Sequence, residues 1–173
     1  LSNASNAQIT TATATGTIQE DGDGVSDVTA THSVTTGYSL QGGLLQVNGT
    51  VVYPAGASLL SLLWRPTLPA GWTLASVSGP GSPEILGGEI VFTGSLPASP
   101  LSFSYQVLVP AGQTGTQQIV GQCEYQLSGM VNPTTVFAAP NPLLIDPITT
   151  HSADFQTAWW IIDGTEVNRV LSY

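Results

Sequence analysis

The chain has 173 residues, which is enough for one domain with a sizeable core and short appendages at either end. Only 8% of the residues are charged, and eleven acidic residues against two arginines give a formal net charge of −9 at pH 7. This balance excludes a nucleic-acid-binding surface, which needs clustered lysine and arginine, and it excludes docking on an anionic membrane. No apolar run approaches the ~18 residues of a membrane helix, so we expect no membrane insertion.

With so few charges, the surface must be solvated by hydroxyl and amide groups, as in extracellular fibres and adhesins. We therefore predict a secreted or cell-surface protein. The single cysteine, Cys123, allows no intrachain disulfide. The alternation around it places Cys123 on the same strand face as Ile119, Gly121 and Tyr125, which predicts a buried structural thiol.

The N-terminal residues Gln8 to Ile18 alternate threonine with smaller side chains and predict an extended strand ahead of the main domain. Such a strand either pairs with the sheet edge of an adjacent subunit, as in β-strand addition, or is the first strand of its own domain. For the first alternative the assembly residues are Ile9, Thr11, Thr13, Thr15 and Thr17.

An acidic loop follows from Glu20 to Asp27, and its two glycines permit a tight wrap. Carboxylates at this density suit a hard, oxygen-binding cation, and calcium is the candidate, with Asp21, Asp23 and Asp27 as ligands. The Asp-Gly-Asp-Gly-Val-Ser-Asp string also resembles thrombospondin-type calcium loops. The alternative is a solvated hairpin turn, because turns use Asp and Gly anyway.

Most of the chain shows a period of two with turn residues every 8 to 14 positions, which predicts an all-β antiparallel sandwich. We divide the chain into an N-terminal extended segment and acidic loop (1–27), a sandwich domain (28–147) and a C-terminal tail (148–173). Prolines 140, 142 and 147 predict a stiff linker before the tail. The nine predicted strands are Gln8–Ile18, Val25–Thr35, Leu44–Tyr53, Leu59–Trp64, Trp72–Val77, Glu89–Thr93, Leu101–Val109, Gln117–Leu127 and Thr134–Ala138.

Two segments of the predicted sandwich are similar to a known family. Leu68-Pro69-Ala70-Gly71-Trp72, followed by Leu101 to Gly115 with its Val-Pro-Ala-Gly turn, resembles repeat modules of large secreted bacterial surface proteins. In those modules an LPxGW strand precedes an LxYxVxVPAGxxG strand. The resemblance covers roughly residues 34–127 and implies an immunoglobulin-like, cohesin-like sandwich. From the residues themselves, Pro69 and Gly71 predict a turn that directs Trp72 into a core strand.

The tail carries a second resemblance, because His151 to Asp154, Trp160 to Asp163 and Glu166 to Val170 are similar to a dockerin-type segment. The resemblance implies an EF-hand-like calcium loop with Asp154, Asp163 and Glu166 as ligands, but this sequence departs from the family pattern. Ala158 occupies a ligand position, and Glu166 falls one place late. The alternative is a packed cap formed by Trp159 and Trp160. Val167, Val170 and Leu171 predict a short C-terminal helix.

Catalytic constellations are sparse. The two histidines, His32 and His151, accompany no nucleophile elbow or metal-binding motif. A glycosidase would need a carboxylate pair, and no two of Glu84, Glu89 and Glu124 stand out as one. Asn48-Gly49-Thr50 is a glycosylation sequon.

Three functions are weighed. The first is a non-enzymatic extracellular structural or adhesion module that assembles with copies of itself or adjacent modules into a fibre or scaffold. The second is a carbohydrate- or protein-binding module of a secreted multidomain protein, for which exposed coplanar tryptophans would be the sign. The third is a hydrolase. We predict the first, with homo-oligomer or polymer formation, no nucleic-acid partner, and calcium as the only cofactor candidate.

Overall fold

The computed structural model describes residues 28–148, so the expectations for residues 1–27 and 149–173 lie outside the described part. Residues 28–148 form an all-β sandwich and contain no helix long and apolar enough to cross a membrane. Its ten strands are β1 (Thr29–Val34), β2 (Gly43–Val52), β3 (Leu59–Thr67), β4 (Thr73–Ser78), β5 (Pro83–Leu86), β6 (Glu89–Phe92), β7 (Leu101–Val109), β8 (Gln117–Leu127), β9 (Thr134–Ala139) and β10 (Leu143–Ile145).

The strands form two sheets that face each other. The first sheet has the order β4-β7-β2-β1, and the second has the order β9-β8-β3-β6-β5, with β10 also paired to β8. An immunoglobulin sandwich places its first, second, fifth and fourth strands in one sheet and its remaining strands in the other. The β5-β6 hairpin is inserted after β4, so β7 takes the fifth place in this scheme. The order β1-β2-β7-β4 then corresponds to that first sheet, and the predicted immunoglobulin-like sandwich is confirmed.

The alternation in the sequence produces the two faces of each sheet. In β7, Leu101, Phe103, Tyr105, Val107 and Val109 are buried, while the residues between them face outward. β8 buries Ile119, Gly121, Cys123, Tyr125 and Leu127 in the same way, which confirms the predicted position of Cys123. A side-chain period of two fixes this register, because a slip by one residue would turn each apolar set to solvent.

Aromatic side chains join the two sheets at the centre of the core. Phe103 of the first sheet contacts Trp64 and Phe92 of the second sheet edge to face, with ring centroids 5.1 Å apart in both pairs. Gly49, on the strand next to β7, makes room for this ring, because a Cβ there would lie 2.5 Å from Cζ of Phe103. Trp64 is fully buried and Trp72 is 5% exposed, so both are core residues.

Two Pro-Ala-Gly turns share the same hydrogen bond and the same glycine conformation. The amide of Trp72 donates to the carbonyl oxygen of Pro69 at 3.0 Å, and the amide of Ala57 donates to that of Pro54 at 3.1 Å. Gly71 and Gly56 occupy the third position of each turn with φ values of 81° and 86°. Only glycine adopts this conformation without strain, as in a type II turn. The predicted turn before Trp72 is thus confirmed.

Two strands were not predicted. β5 lies between the predicted strands Trp72–Val77 and Glu89–Thr93, in a glycine- and proline-rich segment for which no strand was predicted, and it carries Glu84. β10 lies inside the predicted proline linker, where Leu143 and Ile145 point into the core and pair with β8. Both strands have only three or four residues, which is too short for a periodicity to be recognised.

The two sheets meet along one side through a parallel contact. Ala30 and Thr31 of β1 pair with Ala138 and Ala139 of β9. The next proline, Pro140, has no amide hydrogen to continue the ladder, but its carbonyl oxygen lies 2.7 Å from Nε2 of His32. Further on, Tyr38 bridges in parallel to Pro147. β4 and β5 stay as open edges among the described strands.

Gly121 provides a test of this packing, because a Cβ there would lie 2.7 Å from Cζ2 of Trp64 and 3.1 Å from the Cβ of Ala138. We expect Gly121→Ala to lower the free energy of unfolding by about 1–3 kcal/mol, since overpacking forces neighbouring side chains to move. The control is Gln122→Ala, which changes the outward-facing next residue and should cost below about 0.5 kcal/mol. Urea unfolding measures both, and equal effects would contradict this account of the core.

Candidate functional site

The residues predicted to bind calcium or to mediate assembly all lie outside residues 28–148 and stay predictions. They are Asp21, Asp23 and Asp27 of the acidic loop, Asp154, Asp163 and Glu166 of the tail, and Ile9, Thr11, Thr13, Thr15 and Thr17 of the N-terminal segment. Within the described part of the chain, no three His, Cys, Asp or Glu side chains come together in a group that could hold a metal ion.

Charged side chains gather on the outer face of the second sheet. Arg65 on β3 forms ion pairs at 2.6 Å with Glu89 on β6 and with Glu124 on β8. The hydrogen bonds that the Arg65 guanidinium donates to Glu124 and Glu89 raise its pKa. Glu84 lies on the adjacent strand, where its backbone neighbour is Val91. We call this outer surface of β9-β8-β3-β6-β5 the charged face.

The ion pairs of Arg65 bear on the hydrolase hypothesis. A glycosidase needs two carboxyl groups that flank a bound sugar, one of them free to transfer a proton. Glu89 and Glu124 instead share one guanidinium, and both are about one-third exposed on a sheet face. Their geometry is that of a surface ion-pair network.

The outer face of the first sheet, by contrast, carries no charged residue. Its side chains are hydroxyls and amides with a few aliphatic residues at the ends, and we call it the hydroxyl face. The strand registers place fifteen outward side chains on it: Thr29, Thr31 and Ser33 of β1; Leu44, Gln46, Asn48, Thr50 and Val52 of β2; Ser102, Ser104, Gln106 and Leu108 of β7; and Thr73, Ser76 and Ser78 of β4.

Many polar side chains of the hydroxyl face bind one another. Oγ1 of Thr50 lies 3.1 Å from Oγ of Ser102, and Oγ of Ser76 donates to Oε1 of Gln106 at 2.8 Å. The pair Ser78 and Ser104 has a similar contact at 3.0 Å, and Gln46 donates to Asn48 at 3.0 Å. These cross-strand and same-strand pairs satisfy part of the hydrogen-bonding capacity of the face before any partner arrives.

The sequon asparagine lies in the middle of this surface. Asn48 is half-buried at the centre of β2, opposite Ser104 of β7 and Ser33 of β1. Its neighbour Gly49 faces the core. The sequon therefore belongs to a strand rather than to a turn, and a glycan on Asn48 would cover the hydroxyl face.

Two buried side chains with chemical potential prove to be core residues. Burial raises the pKa of Cys123 to about 12, with the Glu124 carboxylate adding to the shift, so the thiol stays protonated and unreactive. His32 is 2% exposed, and its ring lies 6.1 Å from that of Trp64. Since Nε2 faces the Pro140 carbonyl, Nε2 carries the hydrogen and Nδ1 is the unprotonated, buried nitrogen.

Two further features bear on ligand binding and on assembly: the burial of the tryptophans and the composition of the two sheet edges. Trp64 and Trp72 are buried, so neither offers a flat ring to a sugar. β4 has no strand hydrogen-bonded to its outer edge among the described residues, although β5 lies close to part of it. Its six residues include no charge and no proline, and Leu74 and Val77 on it are half-buried against the core. The other open edge, β5, begins with Pro83 and carries Glu84, both of which discourage strand pairing.

No family model matches the chain, and no curated protein matches it. The cohesin-like and dockerin-like resemblances therefore stay predictions. Domains D2 and D3 of the major pilin SpaD from Corynebacterium diphtheriae align at 8% identity and a TM-score of 0.46, over 64% of this chain and 49% of the pilin chain, about half its length. BslA, a bacterial hydrophobin, aligns at 15% identity and a TM-score of 0.43, over 73% of this chain and 98% of that chain. Both TM-scores lie below 0.5, so neither likeness carries a conclusion about function.

The buried ring of His32 predicts a pH dependence of stability. Burial lowers the pKa of His32 below 6.5, and the hydrogen bond to Pro140 opposes the shift only in part. Below pH 6.5 the unfolded chain thus binds a proton that the native chain does not, and the free energy of unfolding falls as the pH decreases through this window.

Glutamine retains a side-chain N–H donor but cannot titrate. We therefore expect His32→Gln to flatten the dependence of the free energy of unfolding on pH between about pH 7.5 and pH 5, above the usual carboxylate range. Urea unfolding at several pH values measures the slope. His151→Gln is the matched control and should leave the slope unchanged. An identical slope in His32→Gln and the unmodified chain would show that His32 is not the group responsible.

Proposed function

We propose that this chain is a non-enzymatic, extracellular structural module that assembles with copies of itself or with adjacent modules by strand addition from its N-terminal segment. The observation that carries the proposal is the open edge of β4, which lacks the charges and prolines that keep sheet edges apart. A strand that pairs there extends the first sheet from four strands to five.

The N-terminal segment has the length and composition to be that strand. Residues 8–18 exceed the six residues of β4, and they contain no proline and no charge. On one face of this segment the side chains are threonines and Ile9, which are residues that favour extended structure. The alternate positions hold small residues such as Ala12 and Ala14, which an added strand would bring beside the half-buried Leu74 and Val77.

The remaining chemistry of the described residues supports a structural role. The carboxylates of Glu89 and Glu124 are engaged by Arg65, the thiol of Cys123 is buried, and the ring of His32 binds a backbone carbonyl. These four side chains thus have packing or ion-pairing functions in the described sandwich. The low charge content fits an extracellular location.

A proline in the N-terminal segment tests strand addition. Proline removes an amide donor and distorts the extended ladder, so we expect Thr13→Pro to weaken assembly by at least about tenfold. Analytical ultracentrifugation of the full chain over a range of concentrations measures this. Ser5→Pro, which lies before the predicted strand, is the matched control and should assemble like the unmodified chain.

Two results would contradict the proposal. One is a full chain that stays monomeric at every concentration. The other is a Thr13→Pro variant that assembles normally but has a lower unfolding temperature, because residues 8–18 would then be an ordinary strand of their own domain.

A further inference from the structure

The hydroxyl face is the part of the described molecule that two copies can bring together at the lowest electrostatic cost. Every charged residue of 28–148 lies elsewhere: Arg65, Glu84, Glu89 and Glu124 belong to the charged face, and Asp146 follows β10. Packed sheets lie about 10 Å apart. Two copies that meet through their hydroxyl faces therefore hold their charged faces about 30 Å apart, well beyond the Debye length of about 8 Å.

Several polar groups of the hydroxyl face already have hydrogen-bond partners, which lowers the free-energy cost of burying them. Burying an unpaired hydroxyl or amide costs free energy, but a group that already has a partner loses less when water leaves. The pairs Thr50 with Ser102 and Ser76 with Gln106 keep their contacts whether or not the face is covered. A partner that supplies few hydrogen bonds of its own can therefore cover this surface.

The side chains of the hydroxyl face distinguish between two possible binding partners, a polysaccharide and a second protein surface. A polysaccharide would be held by free donors, free acceptors and exposed aromatic rings, but the hydroxyl face contains no aromatic side chain. Phe137, an exposed ring of the described residues, lies on β9 in the opposite sheet. A second, equally uncharged protein face is the occupant that these features favour.

The face is also nearly self-complementary about a two-fold axis that runs along the strands between β2 and β7. The register pairs Leu44 with Leu108 and Gln46 with Gln106 across these two strands. A two-fold rotation about that axis places β2 of one copy over β7 of the other. Leu44 of one copy then meets Leu108 of the other, and Gln46 meets Gln106. Leu44 and Leu108 are 60% and 48% exposed, and this contact would bury both.

We propose that the hydroxyl face is a symmetric interface between two copies of this chain, formed independently of the N-terminal strand. Four strands and about five rows of side chains give a footprint of roughly 500 Å², which is at the small end for a specific interface. The pairing is therefore weak, in the micromolar range or above, and it becomes important when strand addition has already brought many copies together. A glycan on Asn48 would prevent it.

The test uses the full chain in the Thr13→Pro background, in which strand addition is weakened at least about tenfold. Sedimentation from about 5 to about 500 µM should show a monomer of 17.9 kDa in equilibrium with a species of twice that mass. Adding Gln106→Glu should weaken the pairing at least about tenfold, because it places a carboxylate in the interface while keeping the acceptor for Ser76. Leu44→Gln should weaken it as well.

The matched control is Gln118→Glu, the same substitution at an exposed position of the second sheet, and it should leave the pairing unchanged. A Thr13→Pro variant that stays monomeric at 500 µM, which is about the highest concentration where so small an interface would act, overturns the inference. Equal losses from Gln106→Glu and Gln118→Glu also overturn it. Neither result affects strand addition, whose own failure would appear as unchanged assembly on introducing Thr13→Pro alone.

Discussion

The contact between Phe103 and Trp64 is the interaction on which the sandwich depends. It joins the middle strands of the two sheets, and Phe92 and Tyr105 contact the same Phe103 ring. Gly49 exists as glycine because the Phe103 ring occupies the space of its side chain. With no intrachain disulfide available from a single cysteine, stability comes from this dry aromatic and aliphatic core.

The core packing involves the inner faces of the two sheets. The two outer faces differ sharply in their charged and polar side chains. One carries the ion pairs of Arg65 with two glutamates, and the other carries hydroxyl and amide side chains that bind one another. In the proposed assembly, copies meet through the neutral face and the β4 edge, and the charged face points away from these contacts. The proposed assembly follows from this division.

The sequence predicts much of the fold because the strands that form the core are long. Leu101 to Val109 and Gln117 to Leu127 alternate regularly, so their buried faces and the position of Cys123 follow from periodicity alone. β10 escapes this reasoning because three residues between prolines show no period. The role of Pro140 is also invisible locally, since its carbonyl is bound by His32 from the far end of the domain.

The candidate surfaces are harder to predict than the strands. The ion pairs of Arg65 depend on the register of β3 against β6 and β8, and the hydroxyl face depends on which strands are neighbours in the first sheet. The paired strands lie tens of positions apart in the chain, so local sequence patterns do not reveal which strands are neighbours. The acidic loop and the tail are recognised from local motifs instead, so their calcium sites stay predictions that rest on composition and resemblance.

The most direct test of the central claim, that this chain builds an assembly from its own sheet edges, is an electron cryomicroscopy structure of the assembled full chain. We predict that residues 8–18 lie as an added strand along β4 of a neighbouring copy. A self-contained monomer, in which residues 8–18 pair within their own sandwich and the β4 edge faces solvent, would contradict it.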